Sequence, residues 1–330
     1  SGFVNAILRS VIREQDSIGI EDLAANDIEA ISFIYNIPLW LINLWISEFG
    51  RDKTEDLCAW FNEQPKLTAR INTILIDIPQ CLTMLNEQGW AVTQDSNYED
   101  IIYINSHRGS LEKSEAFIKG YITFMDKASM LVARLVNPQP GERILDCCAA
   151  PGGKSMYMAT LMDNVGSLMS CDIHEHKIEL MNSNADRLGA SIVHTKVQDA
   201  TKLPDSWNSY FDRVLVDAPC SGLGILQKKL DMRWRKQESI LRELPPLQLA
   251  ILERAAMTVK EKGYLIYSTC TLNYKENEEV VESFLQKHKE FSIIPVVEDF
   301  PLKSNSGMIT TYPPTDDMDG FFMVKMQRIS

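Results

Sequence analysis

The sequence predicts a doubly wound α/β domain with a mostly parallel sheet over residues 125–330, preceded by a small α/β unit over 65–124 and a helical segment over 1–64. Three observations carry this reading. Beyond Asp126 short apolar runs alternate with helical stretches, the βαβ pattern of a parallel sheet. Each of those runs stops where a polar or glycine-containing loop begins. At 330 residues the chain is also longer than one compact core usually supports.

The first segment reads as helices, with apolar residues at Phe3, Val4, Ile7, Leu8, Val11 and Ile12, and again at Leu39, Trp40, Ile42, Leu44, Trp45 and Ile46. From Pro65 to about Phe124, apolar runs at 71–78 and 101–104 are punctuated by turns at Gln88-Gly89 and Arg108-Gly109. The last region offers strands at 143–147, 167–171, 191–195, 213–216 and 264–268. Ligands of open parallel sheets sit beyond the carboxyl ends of the strands, which singles out 146–154, Asp172, Asp199, 217–221 and 269–271.

The composition, 45% hydrophobic and 24% charged, is that of a folded globular chain. A net charge of -12 argues against a simple polyanion binder. The stretch from Gln227 to Arg242 runs the other way, with six cations (Lys228, Lys229, Arg233, Arg235, Lys236, Arg242) against Asp231 and Glu238, a net of +4. It reads as either a solvated face or a track for an RNA backbone. The seven cysteines form no C-x-x-C pair and have no histidine at zinc spacing, so no metal and no disulfide framework are expected. No apolar stretch reaches the ~18 residues of a membrane span, and a cytoplasmic location, where thiols stay reduced, is expected.

After the first strand comes Asp146-Cys147-Cys148-Ala149-Ala150-Pro151-Gly152-Gly153-Lys154-Ser155, with a helix expected from about Met156. Small residues let the backbone approach a ligand, and a helix N-terminus favours electron-rich groups. The loop is neither a Walker A, since Cys148 stands where its first glycine belongs, nor G-x-G-x-x-G. Alone it reads equally as a tight turn. Asp172, 19 residues after Gly153 at the end of the second strand, is placed to accept hydrogen bonds from both ribose hydroxyls of an adenosine. Asp199 follows the third strand, where a carboxylate suits an adenine amino group. A single such aspartate usually caps or is solvated; recurrence at successive strand ends points to a cofactor.

Cys220, in Asp217-Ala218-Pro219-Cys220-Ser221-Gly222, and Cys270, in Ser268-Thr269-Cys270-Thr271, both follow strands expected to be neighbours. Cys58, Cys81, Cys147 and Cys171 read instead as buried small hydrophobes. Beside a methyl donor a thiolate has a specific use, because an unactivated pyrimidine carbon 5 is too poor a nucleophile to take a methyl group. Thiolate addition at carbon 6 activates it, and a second group then removes the carbon 5 proton. Two thiols with Asp217 and Lys154 suit these steps; the residues alone leave open which thiol attacks.

The strings DCCAAPGGKS, DAPCSGLGILQKKLDMRWR and YSTCTLNYKENE, with the ending DGFFMVKM, resemble the RsmB-like (Sun-type) ribosomal RNA cytosine-5 methyltransferases over about residues 60 to 330. The N-terminal GFVNAILRSV is similar to the last helix of that family's NusB-like domain, most of which is expected to be missing here. The resemblance implies a class I S-adenosylmethionine methyltransferase domain with a seven-stranded sheet. It implies S-adenosyl-L-methionine held by Cys148, Ala149, Ala150, Pro151, Gly152, Gly153, Lys154, Asp172, Asp199 and Asp217. It also implies Cys270 as nucleophile, adding to carbon 6 of a cytosine in small-subunit (16S) rRNA, with Cys220 for product release and Asp217 and Lys154 beside them. A monomer acting on RNA, with no membrane or metal partner, is expected.

Departures from the family pattern are Cys147 for leucine, Ser155 for threonine, Gln227 and Leu230 for arginine and proline, and Tyr274 for proline. A DNA cytosine-5 methyltransferase, whose nucleophile follows proline and would be Cys220, is a competing reading opposed by Thr269-Cys270-Thr271. A non-catalytic RNA-binding scaffold is opposed by the intact Cys220, Cys270, Asp217 and Lys154.

Overall fold

The computed structural model describes residues 2–14, 28–296 and 300–329. It divides into two compact units, Ser1–Asn62 and Glu63–Ser330. The first is helical, with α1 (Gly2–Glu14), α2 (Ile28–Tyr35), α3 (Leu39–Phe49) and α4 (Arg51–Asn62). Pro38 presets the entry to α3, and Gly50, at φ 82°, supplies the left-handed turn that separates α3 from α4. Leu41, Ile42 and Trp45 of α3 and Leu57 and Phe61 of α4 are buried, with the Trp45 and Phe61 rings 5.5 Å apart. The apolar stripe of α1, from Phe3 to Ile12, forms the expected helix but stays exposed.

The second unit holds two sheets. The smaller is built from β1 (Thr68–Ile71), α5 (Ile78–Glu87), β2 (Ala91–Gln94), β3 (Ile101–Ser106), α6 (Glu115–Ile118) and β4 (Ile122–Phe124), in the antiparallel order β2-β3-β1-β4. The apolar run at 71–78 joins the end of β1 to the start of α5. Asp77 caps α5 by accepting from Gln80 N at 2.9 Å, and Pro79 sits in its first turn, so the chain turns from β1 directly into a helix. One sheet face packs Ala69, Ile71, Ile102, Ile104 and Ile122 against Cys81 and Leu85.

The other face docks on the larger sheet's helices. Here lie α7 (Lys127–Val136), α8 (Gly153–Leu161) and α9 (Glu175–Leu188). Arg70 Nη1 donates to Thr160 Oγ1 at 3.0 Å, and Asn72 Nδ2 donates to the carbonyls of Gly120 and Leu188, each at 2.9 Å. Tyr157 and Arg134 both bind the Asp100 carboxylate. At Gly120 a Cβ would stand 2.0 Å from the Arg187 carbonyl oxygen, so this close approach admits only glycine.

The larger sheet contains β5 (Arg143–Asp146), β6 (Ser167–Asp172), β7 (Val193–Val197), β8 (Phe211–Asp217), β9 (Val259–Thr269), β10 (Phe291–Ile293), β11 (Met308–Thr310) and β12 (Phe322–Arg328). Seven strands follow the path β10-β12-β9-β8-β5-β6-β7, and β11 shares the β10 edge of β12. Strands β5 to β9 are parallel; β12 runs antiparallel to β9. This is the expected Rossmann-like α/β domain. Its central strands are buried on both faces (Ile144, Leu145; Val214, Leu215, Val216; Leu265, Ile266, Tyr267), hence their unbroken apolar runs.

Helices α10 (Met232–Arg235), α11 (Ile240–Ala256), α12 (Glu278–Lys287) and α13 (Pro313–Asp316) complete the unit. The strand expected at 191–195 forms two residues later, at Val193–Val197. The segment before it is held as a turn by Asn164 Nδ2, which donates to Gly189 O and Ser191 Oγ, each at 3.0 Å. The helix expected from about Met156 begins at Gly153. The C-terminal strands β10, β11 and β12 were not among the expected strands.

A buried ion pair ties β8 to the turn preceding β5. Arg213, 6% exposed, donates to both Glu142 oxygens at 2.6 and 2.9 Å and to the Val136 carbonyl at 2.8 Å. Removing Glu142 leaves that guanidinium buried and unpaired. Glu142→Ala is expected to lower stability by about 3 kcal/mol, read from the denaturant midpoint at unchanged slope. A loss below about 1 kcal/mol would assign the pair a minor role.

Candidate active site

The site lies where strand order reverses, between β5 and β8, and it is built from the loops that follow β5, β6, β7, β8 and β9. After β5 the chain is pinned by Cys147 N to Leu215 O at 2.9 Å and Ala149 N to Cys171 O at 2.7 Å. The Ala150-Pro151 peptide is cis, and Gly152, at φ 98°, turns the chain into α8. Beneath the loop a buried chain of hydroxyls runs from Ser170 Oγ to Ser155 Oγ (2.9 Å) and on to Asp146 Oδ2 (2.6 Å). Burial raises the Asp146 carboxyl to about 7, outweighing the hydrogen bond from Ser155.

A cavity of about 460 Å3 opens above these loops. Of the expected cofactor residues, Cys148, Ala150, Asp172, Asp199 and Asp217 line it; Ala149, Pro151, Gly152, Gly153 and Lys154 lie outside its wall. Asp172 accepts from His174 N at 3.0 Å through Oδ1 and faces Lys177 at 3.7 Å through the same oxygen. Asp199 caps the turn after β7, accepting from Thr201 N and Oγ1 at 2.9 and 2.7 Å, which also holds its carboxyl below the usual range. The apolar Ile173, exposed directly after Asp172, gives the wall a flat surface suited to a base. An acid for a diol, an apolar wall and a carboxylate beyond it fit a nucleoside cofactor in shape and chemistry.

Both thiols reach the same cavity. Asp217 pairs in register with Ser268, so Cys220 and Cys270 leave adjacent strand ends and their sulfurs stand 3.1 Å apart. Cys270 N also donates to Cys220 Sγ at 3.3 Å. The contact with Cys270, and then burial, push the Cys220 thiol well above its usual range. Behind them Lys154 Nζ donates to Asp217 Oδ2 at 2.6 Å, and Ser268 Oγ donates to Oδ1 at 2.8 Å. Burial lowers the Lys154 ammonium, but Asp217 outweighs it and holds the group above its ordinary range.

Cys58, Cys81, Cys147 and Cys171 are buried, as their sequence context indicated; burial alone pushes Cys81 up to about 12, and leads the rise to about 12 at Cys171. Two features escaped the sequence reading. Phe321, from the DGFF string, lies under the Lys154 ammonium at 5.2 Å. Glu276, within YSTCTLNYKENE, is fully buried between the two thiol loops, although acids in loops usually face water. Its signal was local: Asn273, Glu276 and Asn277 crowd polar groups into a segment flanked by apolar ones.

The basic run needs correction. Arg233 is 3% exposed and so is no phosphate contact, because α10 turns it inward beside the cavity residue Met232. Lys228 bridges Asp126 and Asp319. Lys229, Arg235 and Arg242 remain on the surface, beside an exposed Trp234.

Residues 133–327 match the family described as 16S rRNA methyltransferase RsmB/F, and residues 37–109 match the RsmF/B-like, ferredoxin-like domain. The chain is 36% identical over 334 residues to the Bacillus subtilis protein named "Probable ribosomal RNA small subunit methyltransferase B", covering 99% of this chain and 74% of that one. It is similar to the crystal structure of PH0851, with a TM-score of 0.86 and 32% identity over 91% of this chain and 68% of that one. The crystal structure of NSun6 from Pyrococcus horikoshii with SFG shares the fold, at a TM-score of 0.79 and 21% identity over 87% and 97% of the two chains.

The raised Asp146 carboxyl makes a signed prediction. Below about pH 4 the folded and unfolded chains both hold its proton; between about 4 and 7 the unfolded chain releases it first, so rising pH favours unfolding. Asp146→Asn should therefore gain on the wild type across that window, by on the order of a few kcal/mol. Denaturant titrations of both proteins at several pH values read the difference, and parallel stability curves would show that Asp146 is ionised in the fold.

Proposed function

The chain belongs to the 16S rRNA methyltransferase RsmB/F family, and from that premise we propose that this S-adenosylmethionine-dependent methyltransferase methylates carbon 5 of a cytosine in small-subunit rRNA through a covalent Cys270 adduct. One observation carries the reading: two thiols 3.1 Å apart on the wall of a nucleoside-sized cavity, beside the Lys154–Asp217 pair. A single nucleophile would need no second sulfur. Covalent addition followed by elimination needs two groups that act in turn on neighbouring ring atoms.

Asp172, Asp199, Cys148 and Ala150 would hold the cofactor, which would supply an electrophilic methyl group. The Cys270 sulfur adds to carbon 6 of the cytosine, forming an S–C bond as the 5,6 double bond opens and leaving carbon 5 nucleophilic. Asp217 faces the cytosine edge, its charge held in place by Lys154 and Ser268. After methylation the carbon 5 proton leaves, the double bond re-forms and the Cys270–carbon 6 bond breaks. Cys220 is suited to relay that proton: as its sulfur accepts the carbon 5 proton, its own thiol proton passes to the departing Cys270 sulfur, which it touches at 3.1 Å. The target base must stand out of any helix to reach the cavity, which favours rRNA that is still unpaired or locally opened. The reaction is assigned to the cytoplasm.

Two sets of variants test this. Asp172→Ala should weaken S-adenosylmethionine binding by about 1.5 to 3 kcal/mol, roughly 10- to 150-fold, with no change in folding; unchanged affinity by calorimetry removes Asp172 from the site. Cys270→Ser should abolish methyl transfer with cofactor binding intact, because a hydroxyl is a far poorer nucleophile at neutral pH. Cys220→Ser should attack and methylate but stall, leaving RNA attached through Cys270 on denaturing gels, and the double variant should lose that complex. An adduct in Cys270→Ser but not in Cys220→Ser would exchange the two roles.

A further inference from the structure

Glu276 is wholly buried in the turn after β9, and among the described residues no cation lies within ion-pair range of it. A buried carboxylate without a counter-charge is costly unless several donors replace its water. Four do. Ser221 N (2.8 Å) and Gln248 Nε2 (2.9 Å) donate to Oε2; Ser221 Oγ (2.5 Å) and Asn273 Nδ2 (3.0 Å) donate to Oε1. Gln248 Nε2 also donates to Pro219 O at 3.0 Å, and Tyr267 OH donates to the Glu276 carbonyl at 2.6 Å.

Three of those donors come from the two thiol loops, and Gln248 from α11. Ser221 directly follows Cys220, and Asn273 lies three residues beyond Cys270. The loops are also joined to each other: Ser221 Oγ lies 2.8 Å from Thr271 Oγ1, which accepts from Asn273 N at 3.3 Å. Since Ser221 donates to Glu276, Thr271 donates to Ser221, and one direction of donation runs from Asn273 N to the carboxylate. Only a group that accepts twice at each oxygen completes this pattern; a glutamine would face two donors with its own N–H groups.

We propose that Glu276 is a positioning residue that fixes the spacing of Cys220 and Cys270, an inference that rests on the two-thiol reading above. The thiols act on adjacent atoms of one ring, so a loop displacement of an ångström is costly, on the order of a hundredfold in rate. A merely structural anchor would affect stability without affecting how the two sulfurs meet.

The 330-residue chain carrying Glu276→Gln tests the proposal. Steady-state rates with rRNA should show kcat lowered about 100-fold with KM changed less than about threefold. S-adenosylmethionine affinity should stay within about twofold, since Asp172 and Asp199 do not touch this network. The independent readout is closure of the thiol pair by oxidised glutathione. One thiolate attacks it and expels a glutathione thiol, then the second attacks the mixed disulfide and expels another, so two protein thiols are oxidised as one glutathione disulfide is reduced. Closure should slow at least about tenfold in the variant. A wild-type closure rate, or kcat within about threefold of wild type, overturns the proposal. If Glu276→Gln does not fold, Ser221→Ala deletes one donor and leaves the carboxylate; closure and kcat should each fall about fivefold, and wild-type values for both overturn it. Closure is measured without RNA, so activity retained in Cys270→Ser would defeat the two-thiol reading while leaving the Glu276 measurement interpretable.

Discussion

The register between β8 and β9 is the constraint on which the site depends. Asp217 lies opposite Ser268, and both strands end within a few residues of that pair. Cysteines fifty positions apart thereby come within 3.1 Å, each on a loop that inherits its starting point from the sheet. A slip of one residue would turn every side chain of one strand to the opposite face, separating the sulfurs and removing Ser268 Oγ from Asp217. The register is held by burial on both faces, since Val214, Leu215, Val216, Leu265, Ile266 and Tyr267 have no exposed alternative.

Around this pair the protein keeps its charges in strict places. Lys154 and Asp217 are fixed to each other beside the thiols, Arg213 and Glu142 at the opposite end of the strands, and Lys228 between Asp126 and Asp319. Several of the cations counted in the sequence are thus committed internally and unavailable to a polyanion. Lys229 and Arg235, three residues to either side of the cavity residue Met232 in the chain, stay on the surface. Trp234, next to Arg235, is exposed and uncharged.

Much of the catalytic unit was legible because parallel strands announce themselves. Buried on both sides, they read mostly as apolar runs, and Asp146, Asp172, Asp199 and Asp217 stand at or just beyond their carboxyl ends. The family strings then assigned roles that spacing left open. Illegible were the contacts that depend on a third element. Arg233 looks like any other cation of its run until α10 turns it inward, and Glu276 looks like a loop acid until Gln248, from a helix 28 residues earlier, closes over it. The apolar run at 71–78 does not reveal its structure because its residues serve two elements, the end of β1 and the first turn of α5, with a capping aspartate between.

The small sheet spends one whole face on the catalytic domain, through Arg70 against Thr160 and Asn72 against Leu188, with Gly120 pressed on the Arg187 carbonyl. Many nucleic-acid modules keep that face open and swing on a linker. Here it is occupied by protein, and what remains outward is the opposite end of β2 and β3, where Thr93, Tyr103 and Asn105 lie. The two sheets consequently behave as a single calliper. Anything held at the outward edge of β2 and β3 therefore stands at a set distance from the cavity beyond β5 and β8.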